Sequence, residues 1–591
     1  MNNENISINE NMPKPMNILK PEDIQTTENI QTSENGSFPQ TAPMQPVMYT
    51  QPAVYTQPTA YAQSAMYAQP AAYSMPIYSP AKEKIPFKPD VYDLWFAVFT
   101  FLLGYLCSRW VFFSWMGWGV ALFTIFYLLS TTAYFKLKGV FINKPVVWFW
   151  FGTTLLTGLS YALFENIGFV MIRASFLFGS AIYYVIISSG RTILGHTGNY
   201  LLLDGLNAGI LIPFRNFINQ YVSFSFLAKG KKKGRIFPAV TGIAVAFIML
   251  AILTPMLQRA DSGGFNIILD FLYNLITFSI FEFLFYAFFA VPIAAYIFGL
   301  ISGSAHGRYT DTIKQEAAEK KVAALRFVQP ATVFIVLGSV CILYLVFIFS
   351  QLPYFFSAFT GNRPEGWLVF SEYARHGFFE LCTIAAINLL IILFANITSK
   401  KQRIESRLLK TYNIILASIT LVLIATAFSK MALYIDAYGL TMPRLLPCVF
   451  MIFLTIVFAA LIVLQKHNFS IVRTALITGA LIICIMSLLN PDALVVRYNS
   501  NRFINGTLQE YDVNILYRSG RAGVRPALDV FYHTTDMQLK HEISQYLSYQ
   551  TFNYDMVFYN DISHRQSLEL FLSREALTAA ATDFTPSSAN P

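Results

Sequence analysis

Residues 146–189 read VVWFWFGTTLLTGLSYALF, then Glu165 and Asn166, then IGFVMIRASFLFGSAIYYVIISS: two long apolar runs divided by two polar residues. About 20 apolar residues in a helix cross the roughly 30 Å hydrocarbon core of a bilayer. Each run is therefore long enough to span, and the break between them predicts a tight hairpin. The runs are continuous, whereas a transmembrane strand alternates with a period of two. Helices also close all of their backbone hydrogen bonds in lipid.

The same reading extended along the chain gives eleven spans, at 94–110, 117–134, 146–164, 167–189, 237–257, 271–300, 333–356, 378–395, 414–434, 445–464 and 471–489. The sixth is longer than one crossing needs, which predicts that residues 265–273 lie in the interface before the helix enters the membrane. The fold class is all-α: a polytopic transmembrane helix bundle. Three regions are expected: a disordered tail at 1–90, a transmembrane domain at 91–490 and a small helical extracytoplasmic domain at 491–591.

Basic residues set the orientation. Alternate loops carry 25 Lys and Arg, including seven between Arg191 and Arg235, against five on the other side: Arg109, Arg259, Arg363, Arg375 and Arg444. The positive-inside rule then places the N-terminus in the cytoplasm and the C-terminus outside. Composition agrees with a membrane protein, at 55% hydrophobic and 13% charged residues. The net charge of +9 comes from these inner loops, which face anionic lipid headgroups, so the expected partner is the bilayer and not nucleic acid. Residues 1–80 are polar and hold no short apolar signal core, so the first span is expected to direct insertion.

The tail is a degenerate hexapeptide repeat. Tyr49, Tyr55, Tyr61, Tyr67 and Tyr73 recur every six residues, with Gln51, Gln57, Gln63 and Gln69 at a fixed offset and Pro52, Pro58, Pro70 and Pro76 beside them. Proline at this density opposes both helix and sheet, and no charge occurs from Gly36 to Ala81. A passive cytoplasmic tail is one reading; docking of a protein partner through evenly spaced Tyr and Gln is the other.

In the inner loops, Tyr200 to Leu211 and Ile212 to Phe226 read as interfacial amphipathic helices. Thr310 to Arg326 reads as a charged helix, and Arg403, Arg407 and Lys410 fall on one helical face. Motifs for chemistry are missing. The Gly230 to Gly234 stretch has lysines where a phosphate loop needs free backbone, there is no His-Glu-x-x-His, and Ala305 stands where a nucleophile elbow needs Ser. Cys107, Cys341, Cys382, Cys448 and Cys484 all lie in apolar runs without metal spacing. No catalytic residue, metal or cofactor is assigned, and the reading leans away from an enzyme.

Ionisable residues within spans cost about 2.5 to 3.5 kcal/mol each at a helix centre and are functional candidates by default. They are Arg173, Glu282, Glu380 and Lys430, all in the outer half of their spans. Glu372 and Arg375 at i,i+3, and His376 and Glu380 at i,i+4, share faces if the eighth span begins early. Asp436 lies on the same rim. Together these residues predict an outward-facing polar cluster for solute, ion or proton access; snorkelling and structural pairing are the alternatives.

Three segments carry a resemblance. Glu372-Tyr373-Ala374-Arg375-His376-Gly377-Phe378-Phe379-Glu380-Leu381, then Tyr438-Gly439-Leu440-Thr441 with Arg444, then Asn490-Pro491-Asp492 with Arg497-Tyr498-Asn499 resemble a family of uncharacterised bacterial multi-spanning membrane proteins, catalogued as a domain of unknown function. The resemblance covers most of 94–577. It implies a bacterial plasma membrane and brings no catalytic residues with it.

After the last span, Asn490 can cap a new helix with Pro491 at its first position. Gly520 and Gly523 mark a turn, and 527–532, 539–549 and 568–577 read as helices. Three functional classes remain: a transporter without its own ATPase, a sensor or accessory protein acting through the external domain and the tail, and an intramembrane enzyme whose nucleophile or metal set is not apparent.

Overall fold

The hairpin at Glu165 is present. Pro145 opens α3 (Pro145–Leu163), where its missing N–H costs nothing. Asn166 then turns the chain in the left-handed region (φ 48°), and a single 3-10 turn leads into α4 (Val170–Ser188). The computed structural model describes residues 86–114, 116–224, 278–310, 315–360, 370–559 and 565–584, with scattered positions between 242 and 267.

Helix α1 (Val91–Leu106) starts with a reciprocal capping box. The Asp93 N–H donates to Asp90 Oδ1 and the Asp90 N–H to Asp93 Oδ2, both at 2.9 Å. It runs on as a π-helix (Cys107–Phe112), and α2 (Trp118–Leu137) follows. After α4 come α5 (Leu201–Leu206), a π-turn (Asn207–Leu211), α6 (Ile212–Arg215) and α7 (Asn219–Phe224). Next are α8 (Phe278–Ala305), α9 (Gln315–Ala324), α10 (Pro330–Thr360), α11 (Phe370–Thr398), α12 (Arg407–Tyr438), α13 (Met442–Lys466) and α14 (Ile471–Leu489). The chain closes with α15 (Pro491–Ile504), α16 (Asn514–Ser519), a 3-10 turn (Gly520–Gly523), α17 (Val524–His533), α18 (Met537–Tyr559) and α19 (Leu568–Phe584).

Ten helices among the described residues are long and apolar enough to cross a membrane. The chain is an all-α, multi-pass integral membrane protein. The expected span at 237–257 and the interfacial start at 265–273 lie largely outside the described residues. Helix α4 ends beside α8's C-terminus, where the Arg191 Nε donates to Ser304 O at 3.1 Å. The start of α8 lies at the other end of α1, where Glu282 meets Arg109 at 3.4 Å. The chain thus changes ends between α4 and α8.

The spans pack around two separate cores. One is built from α1 to α4, α6 and α8, with Leu103, Leu128, Phe135, Tyr184, Ile212 and Phe298 fully buried or nearly so. The other is built from α10 to α13, around Leu337, Phe378, Leu416, Met451 and Phe458. Helix α14 lies between α3 and α13 and contributes to both. Contact within the first bundle is close: a Cβ on Gly104 of α1 would lie 2.5 Å from Ala290 O of α8, so only glycine fits there. In the second, polar side chains join the spans. Tyr344 donates to Asn388, Asn388 to Thr420, and Asn396 and Asn413 exchange amide bonds.

A third core, with Val496, Leu516, Val524, Ile543 and Tyr546, belongs to the C-terminal helices. They sit on the span ends. Asn499 exchanges two 2.7 Å bonds with the backbone of Leu440 in the α12–α13 turn, and the Arg565 Nη2 donates to Phe113 O at the end of α1. Asn490 caps α15 from the left-handed region (φ 49°), accepting the Ala493 N–H at 3.2 Å.

Residues 200–224 are amphipathic: Leu202, Leu206, Ile210, Phe214 and Ile218 are exposed at helical spacing, while Asn207, Asn216, Asn219 and Gln220 are buried, three of them donating to backbone carbonyls of α1 and the 308–310 turn. One loop expectation differs. Arg403 does not share a helix with Arg407 and Lys410. Ser406 caps α12 by accepting the Leu409 N–H, and Arg403, before the cap, reaches Leu464 O.

Candidate functional site

Asp93 is fully buried although it stands in the first turn of α1. Its position follows from the capping box, which aims the carboxylate inward and leaves both oxygens open to further donors. Tyr134 OH of α2 donates at 2.5 Å, Lys138 Nζ at the end of α2 lies at 2.9 Å, and His306 Nε2, just beyond α8, lies at 2.9 Å. A buried carboxylate is tolerated only when its charge is met and its lone pairs are filled, and this one has both. Lys138 and His306 are partly exposed, so the imidazole stands between the buried acid and the surroundings. An acid, an imidazole, an ammonium and a phenol in one locus can hold or pass a proton or orient a polar solute.

Polar groups continue along the same side of α1, since positions 93, 97, 100, 104 and 108 lie on one helical face. Gln220 of α7 donates to Thr100 Oγ1 at 2.9 Å and to Ala97 O at 3.1 Å. Ser108 is buried at the π-helix, and its hydroxyl, like Gln220 Oε1, has no partner among the described residues. π-Helical turns occur disproportionately at functional positions. At the far end stands the Arg109–Glu282 pair.

A second locus joins the α3–α4 hairpin to the C-terminal helices. Arg173 is fully buried; its Nη2 donates to Glu165 O at 2.6 Å and its Nη1 to Phe164 O at 3.1 Å, and its guanidinium lies 3.7 Å from the Tyr161 ring centroid. It thereby satisfies carbonyls left free where α3 ends. The Glu165 carboxylate pairs with Arg521. The Glu165 N–H donates to Glu569 Oε2 at 3.0 Å, and Asn490 Nδ2 donates to Glu569 Oε1 at 2.7 Å. The Gly168 N–H donates to Asp492 Oδ2 at 3.0 Å. Burial pushes the Glu569 carboxyl up to about 7 and that of Asp492 up to about 6, against the opposing effect of these hydrogen bonds.

The residues singled out from sequence fall into separate groups. Arg173 belongs to the hairpin junction, and Glu282 pairs with Arg109. Asp436 pairs with Arg502 of α15 at 3.0 Å. Lys430, buried in α12, lies within electrostatic reach of Glu380 of α11. Helix α11 begins at Phe370, so Glu372, Arg375, His376 and Glu380 occupy positions of one continuous helix. Sequence reasoning passed over Asp93, Tyr134, Lys138 and His306, and likewise Glu165, Asp492, Arg521 and Glu569 as a set. The Asp90-x-x-Asp93 pattern before an apolar run was a visible signal, but nothing tied it to His306, 213 residues on. Among the described residues no three His, Cys, Asp or Glu are placed to hold a metal.

The family model of a domain of unknown function (DUF4153) matches residues 151–529. The chain belongs to the DUF4153 family. Neither a curated protein nor a solved structure matches it. The DUF4153 stretch runs from within α3 to within α17. It contains the hairpin, Arg173, Asp492 and Arg521, and all eight residues of the sequence-based cluster. Asp93 and Glu569, one carboxyl from each locus, lie on either side of it.

Proposed function

We propose that this protein carries a polar solute or ion across a bacterial plasma membrane without an ATPase of its own, with its N-terminus in the cytoplasm and the C-terminal helical domain outside. The excess of basic residues, 25 against five, supports that orientation, and puts the Asp93 locus at the inner face and the hairpin junction at the outer face. The inner basic loops would then lie against anionic headgroups.

The observation that carries the transport reading is the polar face of α1. It begins with a buried carboxylate, continues through Thr100, Gln220 and Ser108, and ends at a partly exposed ion pair. Two separately cored bundles joined by α14 suit alternating access, in which one bundle rocks against the other. The test is stopped-flow light scattering on proteoliposomes under imposed gradients of salts, sugars and amino acids. Wild type is expected to relax at least one gradient faster than D93N; rates equal to protein-free liposomes across the panel would overturn the reading.

A second reading, an envelope sensor or accessory protein, is favoured by the C-terminal domain's hold on several span ends, with residues 1–90 available to a cytoplasmic partner. It predicts a specific co-purifying protein that is lost when 491–591 or 1–81 is deleted.

A further inference from the structure

The hairpin junction brings three carboxyls, Glu165, Asp492 and Glu569, together with two guanidiniums, Arg173 and Arg521. With all five ionised the locus carries one unbalanced negative charge. The phenols facing it, Tyr161 on Arg173 and Tyr546, which donates to Gly520 O at 2.5 Å, add no charge. The unbalanced charge can be placed. Glu165 has Arg521 as its ion-pair partner, which leaves Asp492 and Glu569 to share the field of Arg173. Glu569 accepts from the neutral Glu165 N–H and Asn490 amide and Asp492 from the Gly168 N–H, and neither forms an ion pair among the described residues. Glu569 is also the group that α19 contributes to the locus, so its protonation bears directly on whether α19 stays docked.

We propose that this junction is a proton-binding site, and that one proton, shared by Glu569 and Asp492, latches the C-terminal helical domain onto the α3–α4 hairpin. The proton comes from the solution on the domain's side of the membrane and adds to a carboxylate oxygen, leaving the locus neutral. Burial supports this: the values of about 7 for Glu569 and about 6 for Asp492 put the event near neutrality, and the two carboxyls titrate as a coupled pair. Both are raised, so the latch is fully made below ordinary carboxyl values and is lost as pH climbs toward about 7. Nothing here depends on the transport reading, because docking is measured without a substrate.

The test is hydrogen exchange of the full chain in nanodiscs at pH 5, 6, 7 and 8, with rates corrected for the intrinsic pH dependence, followed in α19 and at 520–523. Wild-type protection is expected to fall about tenfold per pH unit from 5 to 7 and to level off above it. E569Q, and independently E165Q, which removes the unbalanced charge, are expected to flatten this response. Wild-type protection equal at pH 5 and 7 overturns the proposal, as does a wild-type slope retained in E165Q. Should E569Q leave α19 unprotected at every pH, D492N gives the reading: a flattened slope supports the latch and an unchanged one rejects it.

Discussion

Glu165 and Glu569 stand 404 residues apart in the chain, yet the backbone N–H of the first donates to the carboxyl of the second at 3.0 Å. The contact pins the last helix to the turn between α3 and α4, and Arg521, paired with the Glu165 side chain, holds the same turn from a second direction. Removing one partner of a buried pair strands the other charge, at a cost of about 3 kcal/mol. R521Q is expected to lower stability by that order and to expose the C-terminal helices to limited proteolysis. E165Q with R521Q is expected to recover more than half of the loss, because no charge is then stranded.

Asn499 and Leu440 exchange two hydrogen bonds of 2.7 Å in a buried position. Truncation leaves an N–H and a carbonyl of the α12–α13 turn without partners, each worth about 1 to 3 kcal/mol. Thermal denaturation of N499A in detergent is expected to show a loss of at least about 2 kcal/mol. A shift within error of wild type would mean that water replaces the amide there.

At the Asp93 locus, charge and packing can be separated. Y134F removes a single hydroxyl donor and is expected to cost about 1 kcal/mol while leaving flux largely intact. D93N keeps the shape but removes the charge that Lys138 and His306 face, and is expected to abolish flux at every pH tested. Equal flux in D93N and wild type would reduce the locus to a structural staple.

Asp204 in α5 gives a prediction in pH. It accepts the Ile193 N–H at 2.8 Å, and burial raises its carboxyl to about 6. A raised carboxyl favours the folded protein only while protonated, so its contribution is complete below about 4 and gone above about 6. D204N, neutral throughout, is expected to match wild type near pH 4 and to be more stable at pH 7.5 by up to about 3 kcal/mol. Melting curves at the two pH values decide it.

The spans were legible because each is a local property: a run of apolar residues such as 146–164 is long enough or it is not. The hairpin at Glu165 and the Asn490-Pro491 cap were legible for the same reason, since the signal lies within a few residues. Arg173 was singled out as an ionisable residue within a span, but its partners were not legible. The guanidinium is taken up by carbonyls at the end of α3, which carry no sequence signature. In the segment at 200–224 the amphipathic pattern was legible, but the partners of its polar face were not, since α1 and the 308–310 turn, distant in the chain, supply the carbonyls.

Class, the places of the described spans and the asymmetry of basic loops thus follow from the sequence alone, because hydrophobic length and loop charge act locally and need no partner. Which charges meet was decided by tertiary structure. Asp93 meets His306, and Glu165 meets Glu569, because helices distant in the chain bring donors and carboxyls to one point, and the free energy of a buried charge depends on what surrounds it rather than on its place in the chain.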